Sequence, residues 1–197
     1  MRKFSAESIL LPLQKLQQVH DEVAHRDILS FDLYKRLKHM VLHFYKYAGK
    51  IEAARPDGDL SLLRSVLIDA YIICMASANA MNLSLGDFIR CDAESRDLDS
   101  LAHDLSKEFQ ATDIFSDAVK ALVIIGGQMA KAIESADHME HGNPRATMEA
   151  LVPQLTCSIL GILGRLEGQL DMDVRLRLRT VELKSIFLRS DLNFQEQ

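Results

Sequence analysis

From Leu60 to Asn82 the chain is apolar nearly all round a helix: Leu62, Leu63, Val66, Leu67, Ile68, Tyr71, Ile72, Ile73 and Met75 leave no continuous polar face. Such a helix has to be enclosed by other elements, whereas a surface helix keeps one side for water. From Val66 to Met81 its single charge is Asp69, and the run falls short of the roughly 20 apolar residues a bilayer span requires. It reads as the central helix of a packed all-α fold. Pro56-Asp57-Gly58 closes what precedes it, and Asp59 caps its start.

The rest of the chain supplies its surroundings. Four Pro and nine Gly in 197 residues cannot punctuate the many short strands of an all-β fold. Leu13, Leu16, Val19 and Val23 recur at helical spacing and predict a first helix with its apolar face on that stripe, ending near His25. Ser30 is a candidate cap for a second helix carrying Leu33, Leu37, Met40, Phe44, Ala48 and Ile51, and Ser84 to Phe88 gives a short helical turn. The acidic stretch Cys91 to Asp99 is the expected linker between two helical halves, residues 1–92 and 93–197, packed as one unit. In the second half, Asp97 to Phe109 is amphipathic, and Asp113 caps a long helix carrying Phe115, Val119, Leu122, Val123, Met129 and Ile133. Asn143-Pro144 opens another, expected to reach about Leu170 with a kink at Pro153. Val174 to Arg179 alternates with period two, but a lone strand has nothing to pair with, so the segment from Asp173 is predicted helical.

A net charge of −5 speaks against nonspecific nucleic-acid binding, which rests on a basic face neutralising phosphates. Cys74, Cys91 and Cys157 are odd in number and lack CxxC spacing, which suits buried thiols in a reducing compartment better than a zinc site. The N-terminal apolar run stops at Gln14-Lys15 without a small-residue cleavage site, so a cytoplasmic location and no membrane partner are expected.

Two stretches can be superposed in sequence: Ala48-Gly49-Lys50-Ile51-Glu52-Ala53-Ala54 and Gly126-Gly127-Gln128-Met129-Ala130-Lys131-Ala132. Each lies late in a long helix and precedes a loop and a strongly apolar helix, the pattern of a repeated helical pair. The segment Tyr47 to Ala53, with Val66 to Tyr71 and Ala78 to Leu83, resembles the MazG-like all-α nucleotide pyrophosphohydrolases. Their pattern is a Glu-x-Gly-Glu-Leu-like segment, a loop, and a Glu-x-x-Asp helix running to a Leu-Ala-Asn-x-x-x-Leu-like end. The likeness covers about Leu42 to Phe88 and, more faintly, Val123 to Asp173. It implies a helical bundle of two related MazG-like halves and a nucleoside triphosphate ligand, with a homodimer among the expected assemblies.

In that chemistry, carboxylates on facing helices hold Mg²⁺ ions that bridge the phosphate oxygens and activate water. Here Tyr47 and Lys50 stand at the first acid pair, Val66 and Asp69 at the second, and Ile125, Gln128, Pro153 and Thr156 at the matching places of the second half. The resemblance leaves Asp69, with Glu52 near the helix end, as the candidate metal ligands. Lys50, Asn79 and Asn82 are the candidate ligand-binding residues, with Lys50 also a candidate partner for the Asp69 carboxylate. The expectation is nucleotide or phosphorylated-ligand binding, with Mg²⁺-dependent pyrophosphohydrolysis as its catalytic form and an interaction protein that keeps only the fold as the alternative. Glu22 and His25 have di-iron spacing but occur once. Glu134, Asp137, His138 and His141 could gather a cation at a helix end, and Arg175, Arg177, Arg179, Lys184 and Arg189 form a basic C-terminal stretch.

Overall fold

The computed structural model describes residues 3–109, 113–138 and 143–184. Five helices begin where a short polar side chain turns back to accept a backbone N–H, as N-caps do. Asp32 takes Lys35 N at 2.9 Å and opens α3 (Leu33–Ala54), and Asp59 takes Leu62 N at 2.9 Å and opens α4 (Leu60–Ala80). Asp97 closes a reciprocal capping box with Ser100 at α6 (Leu98–Ser106), and Asp113 starts α7 (Ile114–Asp137). Asn143, followed by Pro144 in the first turn, starts α8 (Pro144–Leu163). The second-helix cap is thus Asp32 rather than Ser30, which instead follows the short α2 (Arg26–Leu29).

Helices α3, α4, α8 and α7 form a closed four-helix ring, each packed along the next. The central helix predicted from Leu60 is α4, with Leu63, Leu67, Ala70, Tyr71, Cys74 and Met75 at 0% exposure. Helix α8, packed directly against it, is its counterpart and ends at Leu163, short of the expected Leu170. Pro153 sits buried within it. Both helices are long and apolar enough to cross a membrane by length and composition, and 56% and 61% of their most apolar windows are buried inside the bundle. Core helices meet the same test.

Around the ring lie α1 (Glu7–Ala24), α5 (Leu85–Phe88), α6 and α9 (Leu170–Lys184). Helix α9 is the segment with period-two alternation; Val174 and Leu178, one turn apart, are buried, while Leu176 is 61% exposed. The strands β1 (Phe4–Ser5) and β2 (Arg90–Cys91) pair antiparallel, so the stretch from Cys91 begins as a strand. Cys74, Cys91 and Cys157 are free, and burial pushes the Cys74 thiol up to about 12 and that of Cys157 to about 11, which leaves both protonated at neutral pH.

The orientation of α1 departs from its apolar stripe. Val19 and Val23 are 57% and 40% exposed, and the buried face runs Ile9, Leu10, Leu13, Gln14, Gln17, His20 and Asp21. The first turns dock by apolar burial, and the later turns cover polar groups on α4 that need partners. Gln14 Nε2 donates to Asn79 Oδ1 at 3.0 Å and to Leu83 O at 2.9 Å, while Asn79 Nδ2 donates to Gln14 O and Gln17 Oε1. Buried hydrogen-bond demand outweighs the small gain of hiding two valines.

Asp104 on α6 ties the N-terminal strand pair to the bundle. Only 4% of its side chain is exposed, and it accepts from Asp92 N at 2.9 Å and from Lys3 and Lys107 Nζ, each at 3.3 Å. Burial alone would raise its pKa; the hydrogen bonds around Asp92, Lys107 and Lys3 outweigh that and hold the carboxyl well below the usual range. A depressed carboxylate pKa stabilises the fold above the unfolded value of about 3.9 and loses that contribution as pH falls below it. Asp104→Asn is expected to lower stability at pH 7 by about 1 to 2 kcal/mol and to flatten the acid limb of a urea-denaturation series below pH 4. An unchanged acid limb would assign that pH dependence to other carboxylates.

Candidate functional site

The apolar stripe of α3 faces the ring, and on another side of the same helix His39, His43, Lys46, Tyr47 and Lys50 follow at spacings of four, three, one and three. That spacing aligns them on one surface. With His20 and Asp21 from α1, His25 beyond its end, Asp69 from α4 and Arg177 from α9, they line a cleft of about 310 Å³. Ile72, Ile73 and Met40 supply apolar wall.

Asp69 is held by α9. Arg177 Nε and Nη2 reach its two carboxylate oxygens at 2.5 and 2.9 Å, a bidentate fork, with the Asp69 side chain 16% exposed. The carboxylate expected to pair with Lys50 or a metal thus has Arg177 as its partner. An arginine from the basic C-terminal stretch can reach it because α9 lies against α4. The neighbouring arginines pair within α9, Arg175 with Asp171 at 2.7 Å and Arg179 with Glu182 at 3.5 Å, while residues 185–197, including Arg189, lie outside the described residues.

With Asp69 occupied, the α3 side of the cleft is rich in basic groups. Lys46 Nζ stands 2.9 Å from His43 Nδ1 and 4.7 Å above the Tyr47 ring. Tyr47 OH lies 3.2 Å from the same Nδ1, and His43 Nε2 lies 3.2 Å from His39 Nε2. Burial, then the charges of Lys46 and His39, lowers the His43 pKa to about 4, so it is neutral at pH 7. Two donors converging on Nδ1 make that nitrogen the acceptor and leave Nε2–H to donate to His39, a tautomer assigned from the contacts. Burial and the nearby Lys50 charge lower the pKa of Lys46, and burial raises that of Tyr47.

The structure brings Tyr47, Lys50 and Asp69 to this cleft but not the other candidates. Glu52 points to solvent and pairs with Arg55 at 3.0 Å. Val66 is buried, Ile125, Pro153 and Thr156 are buried, and Gln128 is exposed. Asn79 serves the α1–α4 contact, and Asn82, at φ 55°, terminates α4; both border a shallower groove beside Gln14 and Ser84. Glu134 pairs with Lys131 and Asp137 with Lys38, while His141 lies outside the described residues. Glu22 accepts from Gln18 away from the cleft. These donors do not suit Mg²⁺, which needs several free oxygens in an octahedron: Asp69 is neutralised by Arg177, Glu52 faces elsewhere, and Lys50 is a cation.

The sequence reading missed His39, His43, Lys46 and the pair His20 and Asp21. The signal for the first three was a basic stripe at helical spacing. That for the other two was obscured by the stronger valine stripe of α1.

The arrangement defines an all-α helical bundle with a basic, histidine-lined cleft among α1, α3, α4 and α9. Compared with protein-family models, curated proteins and solved structures, the chain matches none.

Proposed function

We propose that this protein binds a small phosphorylated molecule, a nucleotide or a related phosphate ester, in the cleft among α1, α3, α4 and α9. The observation that carries the reading is the pair Lys46 and Lys50, one turn apart on α3 beside His39 and His43, at a cleft whose facing carboxylate is already neutralised by Arg177. Two ammonium groups of like charge on one face favour an anion between them, and a phosphate accepts several charge-assisted hydrogen bonds at once. A volume of about 310 Å³ is near the lower end of the range for ligand pockets, about 300 to 1,000 Å³. Asp69, Tyr47 and Lys50 stand together as the MazG-like resemblance implies, and the two long hairpins α3–α4 and α7–α8 are compatible with an ancestral repeat. A scaffold role is the rival, and Mg²⁺-dependent pyrophosphohydrolysis has the Arg177–Asp69 fork against it.

The test is a thermal-shift and calorimetric screen of the full chain against nucleoside mono- and triphosphates and inorganic phosphate, each with and without Mg²⁺. Ligand at about 100 times its Kd adds roughly 2.7 kcal/mol of stability, a shift of several degrees. Lys46→Ala and Lys50→Ala are each expected to weaken binding about tenfold, the loss of one hydrogen bond between charged groups. In NMR titrations the His43 pKa should rise from about 4 when the anion binds. No response to any phosphate compound would leave the scaffold role as the reading, and Mg²⁺-dependent pyrophosphate release would restore the enzyme.

A further inference from the structure

We infer that His20, Asp21 and His25 form a binding site for one divalent first-row transition-metal ion, of which Zn²⁺ is the natural occupant, at the α1 end of the cleft. The three residues each offer a ligand atom, and these atoms all lie within 4.8 Å of one another. Among the described residues they are the one group of three His, Cys, Asp or Glu so placed. Zinc–nitrogen and zinc–oxygen bonds of about 2.0 to 2.2 Å in a tetrahedron put ligand atoms about 3.3 to 3.5 Å apart. Side-chain rotations of about an ångström therefore close this group on an ion.

Three features separate the group from an accidental meeting of polar side chains. The first is burial: His20 is 3% exposed and Asp21 9%. Taking a histidine and a carboxylate out of water is costly unless their charge and lone pairs are satisfied. Second, His20 Nδ1 lies 3.3 Å from Glu182 Oε1 on α9. A carboxylate on one ring nitrogen fixes the tautomer and leaves Nε2 free to coordinate, as in carboxylate–histidine–zinc arrangements. Glu182 is thus a positioning residue supplied from a distant part of the chain. Third, His25 stands at the C-terminal end of α1, its backbone N–H on Asp21 O at 2.9 Å. The end of the helix brings the His25 ring beside that of His20, with centroids 5.3 Å apart and the rings T-shaped.

Two imidazoles and a carboxylate suit borderline ions such as Zn²⁺ and Co²⁺, whereas Mg²⁺ prefers oxygen ligands throughout. Three protein ligands leave a fourth position to the cleft, the pattern of an open site. The inference stands apart from phosphate binding, which rests on Lys46 and Lys50.

The test is titration of the metal-free full-length protein with Co²⁺ in the absence of any phosphate compound, followed by visible absorption, with Zn²⁺ competition by calorimetry. One Co²⁺ per chain is expected, with the intense visible bands of a four-coordinate complex and displacement by one Zn²⁺. His20→Ala and His25→Ala should each weaken binding at least about tenfold, and Glu182→Gln about tenfold, in the range for loss of a partner behind a ligand. His103→Ala, at an exposed position of α6, should leave affinity unchanged. Circular dichroism melts show which variants remain folded, and if His20→Ala does not fold, His25→Ala at the cleft edge carries the decision. Weak binding without the absorption bands overturns the assignment. So does binding that survives His25→Ala or is lost in His39→Ala, which would place the ion on the His39–His43 pair instead.

Discussion

Gln14→Ala is expected to destabilise the protein by about 3 kcal/mol, although it removes no charge and only a small amount of apolar surface. Gln14 is 3% exposed and serves three partners: Nε2 donates to Asn79 Oδ1 and Leu83 O, and Oε1 accepts from Leu85 N at 2.9 Å. Leu85 N begins α5, where backbone N–H groups have no partner within the helix. Truncation leaves that donor and the Leu83 carbonyl unsatisfied, at about 1 to 3 kcal/mol each. The groove beside Gln14 admits water, which moderates the total. Gln14→Glu keeps the acceptor for Leu85 and should retain part of the stability. Urea denaturation measures both variants. A loss under about 1 kcal/mol for Gln14→Ala would mean that water replaces the side chain fully and that α1 is not held by this network.

Gly164→Ala should cost about as much, by the opposite mechanism. Gly164 ends α8 with φ −65°, a conformation any residue adopts, so its lack of a side chain reflects space. A Cβ there would overlap the Ala102 carbonyl and stand 2.9 Å from His103 N, both backbone atoms of α6. One turn earlier, a Cβ on Gly161 would overlap the Phe109 ring. Backbone cannot rotate aside as a flexible side chain can, so the helices must separate, with an overpacking cost at the upper end of about 1 to 3 kcal/mol. Gly49→Ala is the control. A Cβ at Gly49 meets nothing within 4 Å, and replacing an exposed helical glycine by alanine should stabilise by about 0.5 to 1 kcal/mol. Thermal melts of the two variants should move in opposite directions. Equal and small shifts would show that α6 and α8 have room to part.

Gly161, Gly164 and Gln14 concern how α1 and α6 clamp the four-helix ring, and that clamp also bounds the cleft. Helix α1 supplies His20 and Asp21, and α9, which packs on α1, α4 and α6, supplies Arg177 and Glu182. A loss of α1 docking should therefore reach the cleft before it reaches the α7–α8 side.

Local signals determined much of this protein. The all-round apolar run from Leu60, the caps Asp59, Asp113 and Asn143-Pro144, and the helical identity of the segment from Asp173 were legible in the sequence. The first two depend on local patterning or on a hydrogen bond between residues a few positions apart, and the third on the lack of any strand for a lone strand to pair with. The convergence of Tyr47, Lys50 and Asp69 could also be anticipated, since it needs only that α3 and α4 form a hairpin. Tertiary structure decided the rest. The buried face of α1 was set by the polar groups of Asn79, Leu83 and Leu85 and not by its own valine stripe, because unsatisfied buried polar groups cost more than two exposed valines. The partner of Asp69 came from 108 residues away, a distance in sequence across which no spacing rule operates. His20 and Glu182, 162 positions apart, meet only because α9 folds back across α1, and their electrostatics follow from that packing.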